Sequence, residues 1–103
     1  MNRGEIRWHS YSAPDKRRPV LLLSRQLVSE RLNEIVIVPV TRTIRGIATE
    51  VVLTTADGML TTCALNFDHV NLAQRSHLGA LISTLPEHRW PEVQAALLRA
   101  CGF

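Results

Sequence analysis

Two polar residues stand at the ends of apolar segments, where their side chains can reach a shared rim. Arg18 precedes the apolar run at residues 19–24, and Thr41 ends the β-branched run at residues 35–41. A guanidinium presents a planar fork of donors that matches phosphate oxygens, and a hydroxyl adds another donor. If the two strand ends meet, the pair would bind a phosphate group. Two plainer interpretations are open: Arg18 could pair with a carboxylate, and Thr41 could be present for its strand propensity.

The remaining titratable residues show no spacing typical of a metal site, and no cofactor motif is present. Cys63 and Cys101 form no CxxC pair, which favours two reduced thiols, although one disulfide stays possible. His9 lies near the end of the first apolar segment and could exchange protons, but a lone histidine is more often a packing residue. The other histidines are interpreted as structural or surface residues: His69, His77 and His88.

The charge is carried almost entirely by arginine. The chain has 103 residues, a net charge of +3 and 12 basic residues, of which Lys16 is the only lysine. An acidic polymer such as RNA is one partner that this composition fits, and an arginine-rich composition with solvated charges is the alternative. The length predicts one domain, residues 1–103, that covers apolar surface by forming a homodimer. No apolar run is long enough for a signal peptide or a membrane span, so we expect a cytoplasmic protein.

The pattern along the chain predicts strand after strand and a final helix. Asp57-Gly58 between two alternating runs predicts a tight hairpin, and Pro39 predicts a bulge or a missing ladder bond. Thr84 and Glu87 fit a capping box, but Pro91 places the start of the regular helix near itself, after one loose turn, and Gly102 fits its end. The predicted strands are residues 5–11, 19–24, 35–41, 50–55, 59–65, 67–72 and 78–82, with a short helical turn at 26–32 and loops at 12–16 and 42–48. This content is typical of a mainly β protein with one or two helices, a small SH3-like barrel with a C-terminal helix.

Three segments in this order resemble the MazF/PemK toxin family. They are Arg3-Gly4-Glu5-Ile6, the run from Arg18 to Ser24 (RPVLLLS), and Ile37-Val38-Pro39-Val40-Thr41. Weaker support comes from the Gly58 hairpin and from residues 67–70 and 75–79. The resemblance spans nearly the whole chain and implies an SH3-like barrel of the MazF and CcdB kind.

The resemblance also implies an activity and partners. The family members are homodimeric toxins that cleave single-stranded RNA at short sequence motifs, and a MazE-like antitoxin blocks their RNA groove. Cleavage uses no metal: the ribose 2′-hydroxyl attacks phosphorus and leaves a 2′,3′-cyclic phosphate and a 5′-hydroxyl end. Such chemistry needs a proton acceptor, stabilisation of the charge on phosphorus, and protonation of the leaving oxygen.

Matched residue by residue, the resemblance assigns Arg18 to phosphate stabilisation and Thr41 to a phosphate contact. The proton acceptor has three candidates, because the loop before Arg18 is shorter than in many members: Asp15, His9 and Asp68. Asp68 matches an acidic position of some PemK-like members, whose nearby arginine is replaced here by Asn66. Flanking loop residues would track the RNA backbone, and an aromatic residue could stack a base or fill the core: Lys16, Arg17, Arg42, Arg45 and Trp8.

Two other functions fit the same fold. A toxin of this shape could dock to a protein target such as DNA gyrase without cleaving RNA, although such toxins lack the Arg-Pro strand start and the threonine strand end. A scaffold that has lost cleavage and binds only its antitoxin is the other possibility, and the missing loop acid favours it.

Overall fold

A sheet of seven antiparallel strands and a C-terminal helix make up the computed structural model, which describes residues 1–11 and 16–103. A short helix lies between the second and third strands, and single 3₁₀ turns connect several of the others. The strands are β1 (Glu5–Ser10), β2 (Arg17–Leu22), β3 (Glu34–Thr41), β4 (Glu50–Leu53), β5 (Cys63–Asn66), β6 (Asn71–Gln74) and β7 (Leu78–Thr84), and the helices are α1 (Gln26–Arg31) and α2 (Trp90–Ala100).

The strand order confirms the predicted mainly β, SH3-like fold with a C-terminal helix. Hydrogen-bonded neighbours follow the path β4-β5-β3-β2-β1-β7, and β6 pairs with β3 beside this path. Strands β4 and β7 end the path, and within the described ranges no pairing between them closes the sheet into a complete barrel. The long central strand β3 therefore touches three neighbours and organises the sheet.

The middle of the sheet is buried on both faces, as the unbroken apolar run in β2 predicts. Leu21 packs with the larger core, which lies between the sheet and α2, while Val20 and Leu22 pack in a smaller cluster on the other face. All three side chains are fully buried. Because side chains alternate along a strand, two apolar clusters fix the register of β2 on both sides.

Pro39 lies where β3 changes partners along one edge. Residues 34–37 of β3 pair with β6, and Val40 and Thr41 pair with β5. The backbone N–H and C=O of Val36 form hydrogen bonds with the residues that directly follow β2. Because successive residues of a strand direct these groups to opposite edges, the backbone of Pro39 faces the edge away from β2, in the gap between β6 and β5. The predicted irregularity is therefore an exchange of partners, and the missing N–H of proline falls where no ladder bond is required.

Two local expectations are corrected. The Asp57-Gly58 connection is a 3₁₀ turn, Thr55–Asp57, in which the Thr54 hydroxyl accepts a bond from a backbone N–H and Gly58 closes the turn at φ +86°. The hairpin between β4 and β5 is therefore longer than a two-residue turn. Phe67–His69 is likewise a 3₁₀ turn that buries Phe67, so the strand predicted there begins at Asn71.

The C-terminal helix begins as Pro91 predicts, but without the expected capping box. A 3₁₀ turn at Glu87–Arg89 precedes Trp90, and Pro91 lies in the first turn; among the described residues no side chain caps the start of α2. Val93 is buried against the sheet, and Gly102 follows the helix end at φ +85°. In the part of the chain that the structure describes, no helix is long and apolar enough to cross a membrane.

Candidate active site

Arg18 and Thr41 lie side by side at one end of the central strands. In the β2–β3 ladder, Leu21 faces Val38 and Val20 faces Pro39, and continuing this register by two residues brings Arg18 opposite Thr41. Both residues line the same two adjoining grooves. Two positions that are 23 residues apart in the chain thus form one rim, because antiparallel pairing places the start of β2 beside the end of β3.

The first groove is lined by apolar, aromatic, basic and threonine side chains. It has a volume of about 380 Å³. The Arg17 guanidinium stacks over the Trp8 ring at 4.4 Å from the ring centroid, which holds both side chains at the wall. Besides Arg18 and Thr41, the lining consists of Trp8, Arg17, Pro19, Val40, Arg42, Thr43, Met59, Leu60, Thr61, Cys63 and Ile82.

The second groove adjoins the first at Arg18 and Thr41, and its lining combines apolar residues with asparagine, histidine and basic side chains. Its volume is about 480 Å³. Its remaining lining residues are Tyr11, Lys16, Pro39, Val40, Asn66, His69 and Asn71. Since Arg18 and Thr41 separate the two grooves, an extended polymer that occupies both would pass directly over this pair.

The Thr41 hydroxyl is oriented by its own chain. Its oxygen accepts a hydrogen bond from the Thr43 backbone N–H at 3.1 Å. A hydroxyl whose oxygen already accepts one bond keeps its own proton available for an acceptor in the groove. Thr41 and the guanidinium of Arg18 can therefore both donate to oxygens of one bound anion.

His9 pairs with Arg18 along the β1–β2 ladder, so the two side chains leave the same face of the sheet, but His9 is buried and does not reach this rim. The side chain is 6% exposed, contacts Tyr11 edge-on at 4.3 Å between ring centroids, and among the described residues lines neither groove. Its Nδ1 is buried and has no hydrogen-bond partner among the described residues. Burial, and to a lesser degree nearby His77, lower the pKa of His9. The geometry therefore disfavours His9 as the group that takes a proton from a substrate in the groove.

The neutral state of His9 makes stability depend on pH in the weakly acid range. Because the pKa of His9 is lower in the fold than in the unfolded chain, where it is near 6.5, acid protonates the unfolded state first. The free energy of unfolding should fall as the pH drops through 6.5, and a His9→Leu variant should lose less stability than wild type between pH 7.5 and 5. Urea unfolding at several pH values measures this. His88→Leu, at an exposed histidine, should follow the wild-type curve, and parallel curves for His9→Leu would contradict the assignment.

The other acidic candidates and one basic candidate lie outside the two grooves or outside the described residues. Asp15 belongs to residues 12–15, which the structure does not describe. Asp68 accepts a bond from the Thr49 hydroxyl at 2.7 Å and, like Arg45, is absent from the described lining of both grooves. Arg45 instead lies on a loop whose backbone N–H groups at residues 45 and 46 donate to Glu50.

Several groove residues were not singled out from the sequence. The sequence predicts a structural or surface position for His69 and no site role for Tyr11 or Asn71, yet all three line the second groove. Their signal is positional: Tyr11 lies two residues after His9, the partner of Arg18, while His69 lies just before β6 and Asn71 begins it. Only the pairing of β6 with β3 brings them to the rim.

The cysteine in the first groove is a neutral thiol. Burial, together with the carboxylate of Asp57, raises the pKa of Cys63, and Arg42 offsets only part of this. Cys63 and Cys101 are both free thiols. Within residues 1–11 and 16–103, no cluster of three metal-ligating side chains occurs.

Comparison with known proteins matches this architecture over almost its full length. A family model for the PemK-like, MazF-like toxin of type II toxin–antitoxin systems matches residues 2–101. The chain is 34% identical over 103 residues to the probable endoribonuclease MazF2 of Mycobacterium tuberculosis, covering 99% of both proteins. The toxin MazF-mt6 of the same organism superposes with a TM-score of 0.86 at 30% identity, covering 94% of this chain and 95% of that one. A MazE–MazF structure from Deinococcus radiodurans gives a TM-score of 0.81 at 25% identity, covering 100% and 96%.

The fold and the groove thus define a small toxin of a type II toxin–antitoxin system. The chain belongs to the PemK-like, MazF-like toxin family, as the resemblance of its three sequence segments predicts.

Proposed function

We propose that this toxin is an endoribonuclease that cleaves single-stranded RNA at the rim formed by Arg18 and Thr41. The observation that carries the proposal is the shared position of these two side chains between two adjoining grooves. Relatives that are at least 30% identical over most of their length carry the name endoribonuclease, which supports this activity.

The proposed reaction transfers the phosphoryl group from the 5′-oxygen of one nucleotide to the adjacent ribose 2′-oxygen. The 2′-hydroxyl attacks phosphorus, the bond to the 5′-oxygen breaks, and the products are a 2′,3′-cyclic phosphate and a 5′-hydroxyl. Arg18 and Thr41 would donate to the non-bridging oxygens, where negative charge grows in the transition state. Asp15, three residues before Arg18 in the sequence, is our candidate for the proton acceptor, since the geometry disfavours His9 and places Asp68 outside the grooves.

The basic residues around the rim support binding of an extended polyanion. Arg17 and Arg42 line the first groove, and Lys16 lines the second. Trp8 and the Arg17 guanidinium stacked on its ring both line the first groove, and a base could stack on the flat surface of this pair. Arg45 would contact the backbone only beyond the first groove.

Cleavage of a single-stranded RNA pool in the presence of EDTA tests the proposal directly. Purified protein should produce fragments that can be ligated only after the 5′-hydroxyl has been phosphorylated and the 2′,3′-cyclic phosphate has been removed. Fragments with 3′-hydroxyl ends would reject the proposed chemistry even if cleavage occurred. Intact RNA at high protein concentration would reject the activity itself.

A Thr41→Val variant should lose cleavage by roughly 10- to 100-fold in kcat, because it removes one hydroxyl donor to the phosphate at nearly constant volume. Single-turnover kinetics on one RNA oligonucleotide measure the effect. Thr84→Val, at an exposed threonine that ends β7, is the matched control and should cleave at the wild-type rate. Equal rates for both variants would remove Thr41 from the proposed site.

We further propose that the chain acts in the cytoplasm as a homodimer under the control of a MazE-like antitoxin. The MazE–MazF structure from Deinococcus radiodurans supports the antitoxin as partner. Leu72 on β6 and Leu81 on β7 are more than half exposed in the single chain, which supports further burial of these strands by a second copy. Analytical ultracentrifugation of the free toxin tests the dimer.

A further inference from the structure

The second groove holds two asparagine side chains whose orientation is fixed by backbone groups. Asn66 Oδ1 accepts a hydrogen bond from the Asp68 backbone N–H at 3.1 Å, and Asn71 Nδ2 donates to the His69 carbonyl at 3.0 Å. A backbone N–H can only donate and a carbonyl can only accept, so neither amide can be turned around without losing its bond. Among residues 1–11 and 16–103, no group bonds to the remaining N–H donors of Asn66 or to the carbonyl oxygen of Asn71.

An aromatic side chain completes the same groove. Tyr11 lines it beside Arg18, and the Tyr11 backbone N–H donates to the Lys16 carbonyl at 2.8 Å. The ring rests edge-on against buried His9, which limits its freedom. Burial raises the pKa of the Tyr11 hydroxyl, with Arg18 opposing part of the shift, so this hydroxyl is neutral at physiological pH.

The combination matches the way proteins bind an unstacked RNA base. Such bases are stacked on an aromatic ring and are identified by hydrogen bonds to their edges, which always carry both donors and acceptors. Among the described residues no carboxylate lines this groove. The first groove has a different lining of aromatic, apolar, basic and threonine side chains, and in the part of the chain that the structure describes it contains no asparagine.

We infer that the second groove is a base-reading subsite, in which Asn66 donates to and Asn71 accepts from the edge of a nucleobase next to the scissile phosphate, while Tyr11 packs on its face. The inference rests on the proposed RNA cleavage, because that proposal places the scissile phosphate at Arg18 and Thr41 and so identifies which nucleotide lies in the second groove. It assigns selection of the nucleotide in the second groove to hydrogen bonds from these two asparagines.

Two variants test this subsite without removing the phosphate-binding pair. Asn66→Asp keeps an oxygen for the Asp68 N–H but replaces the free donor by an acceptor, and Asn71→Ala removes the free acceptor. Each should lower the preference for the original base at one position next to the cut by about tenfold or more. Both variants should change the base preference at the same position of the RNA. Sequencing the fragment ends from a random RNA pool gives this preference, and a uniform loss of rate leaves it unaltered.

The control and a second measurement separate this inference from the cleavage proposal. Asn33→Asp adds the same charge at an exposed asparagine that directly precedes β3, at the end of the strand away from Thr41. This variant should keep the wild-type base preference. Selection of the bases retained on the protein from a pool of 2′-O-methyl RNA, which cannot undergo 2′-hydroxyl attack, reports base reading without cleavage. If the wild type retains RNAs with a preferred base and both asparagine variants abolish this preference, the result supports the subsite even if no RNA is cut. Unchanged preferences in both variants, changes at two different positions, or no retention of RNA by the wild type would overturn it.

Discussion

Replacement of Arg18 by alanine is expected to reduce RNA cleavage by at least about 100-fold while the protein stays folded. Arg18 is exposed at the start of β2, so truncating it creates no cavity, and Pro19 and the buried run behind it keep the strand in place. The loss should fall on kcat, because the guanidinium fork gains most when charge accumulates on the phosphate oxygens in the transition state. Single-turnover cleavage of one oligonucleotide, with circular dichroism as the folding check, measures it.

Two further variants sharpen this test. Arg18→Lys keeps the positive charge but loses the planar fork, so its rate should lie between those of wild type and Arg18→Ala. Arg25→Ala removes an exposed arginine beyond the other end of β2, and it should cleave RNA as wild type does. If Arg18→Ala cleaved within a fewfold of wild type, the catalytic assignment would have to move to another residue.

The largest expected effect on stability comes from Arg89, which holds a buried carboxylate beneath α2. Its Nη1 donates to both Asp57 oxygens at 2.8 and 2.7 Å, and its other nitrogens bind Glu92 and the Val52 carbonyl. The side chains of Asp57 and Arg89 are only 4% and 14% exposed. Arg89→Met would leave the Asp57 charge buried without its partner, which costs about 3 kcal/mol of unfolding free energy. Thermal and urea unfolding should show the loss, with a Tm lower by roughly 10–20 °C.

The pH dependence of this loss identifies the ion pair as its cause. Burial by itself raises the pKa of Asp57, but hydrogen bonds from the Thr54 backbone and from Arg89 outweigh it and lower the pKa below 3.8. The paired carboxylate therefore stabilises the fold above about pH 4, and its contribution disappears as the pH falls through the folded pKa. In Arg89→Met the buried carboxyl can become neutral, so the deficit relative to wild type should shrink between pH 7 and pH 3.

An exposed arginine near the C-terminal end of α2 provides the control. Arg99→Met removes an exposed charge from the last turn of α2 and should change the unfolding free energy by about 0.5 kcal/mol or less. A deficit in Arg89→Met that stays constant from pH 7 to pH 3 would assign the loss to packing and not to the unpaired Asp57 carboxylate.

The sequence determined most of the strands, the C-terminal helix and the chain positions of the two central site residues, but it placed the starts of β5 and β6 too early. Local chemistry is sufficient for these, since apolar runs and prolines act on their immediate neighbours. The run at residues 19–24 predicts a buried strand with Arg18 at its exposed start, and the run at residues 35–41 places Thr41 at a strand end. The weaker predictions, such as the capping box before α2, failed because tertiary packing of the turn outweighs a single local hydrogen bond.

Only the tertiary structure decided what surrounds that pair. The second groove exists because β3 exchanges one partner for another near Pro39, which brings Asn66 and Asn71 to the rim beside Tyr11. The bond between Arg89 and Asp57 likewise joins residues that are 32 positions apart. Such contacts depend on strand order and on how the chain returns to the sheet, which are set by the packing of the whole core and leave no periodic signal in the residues themselves.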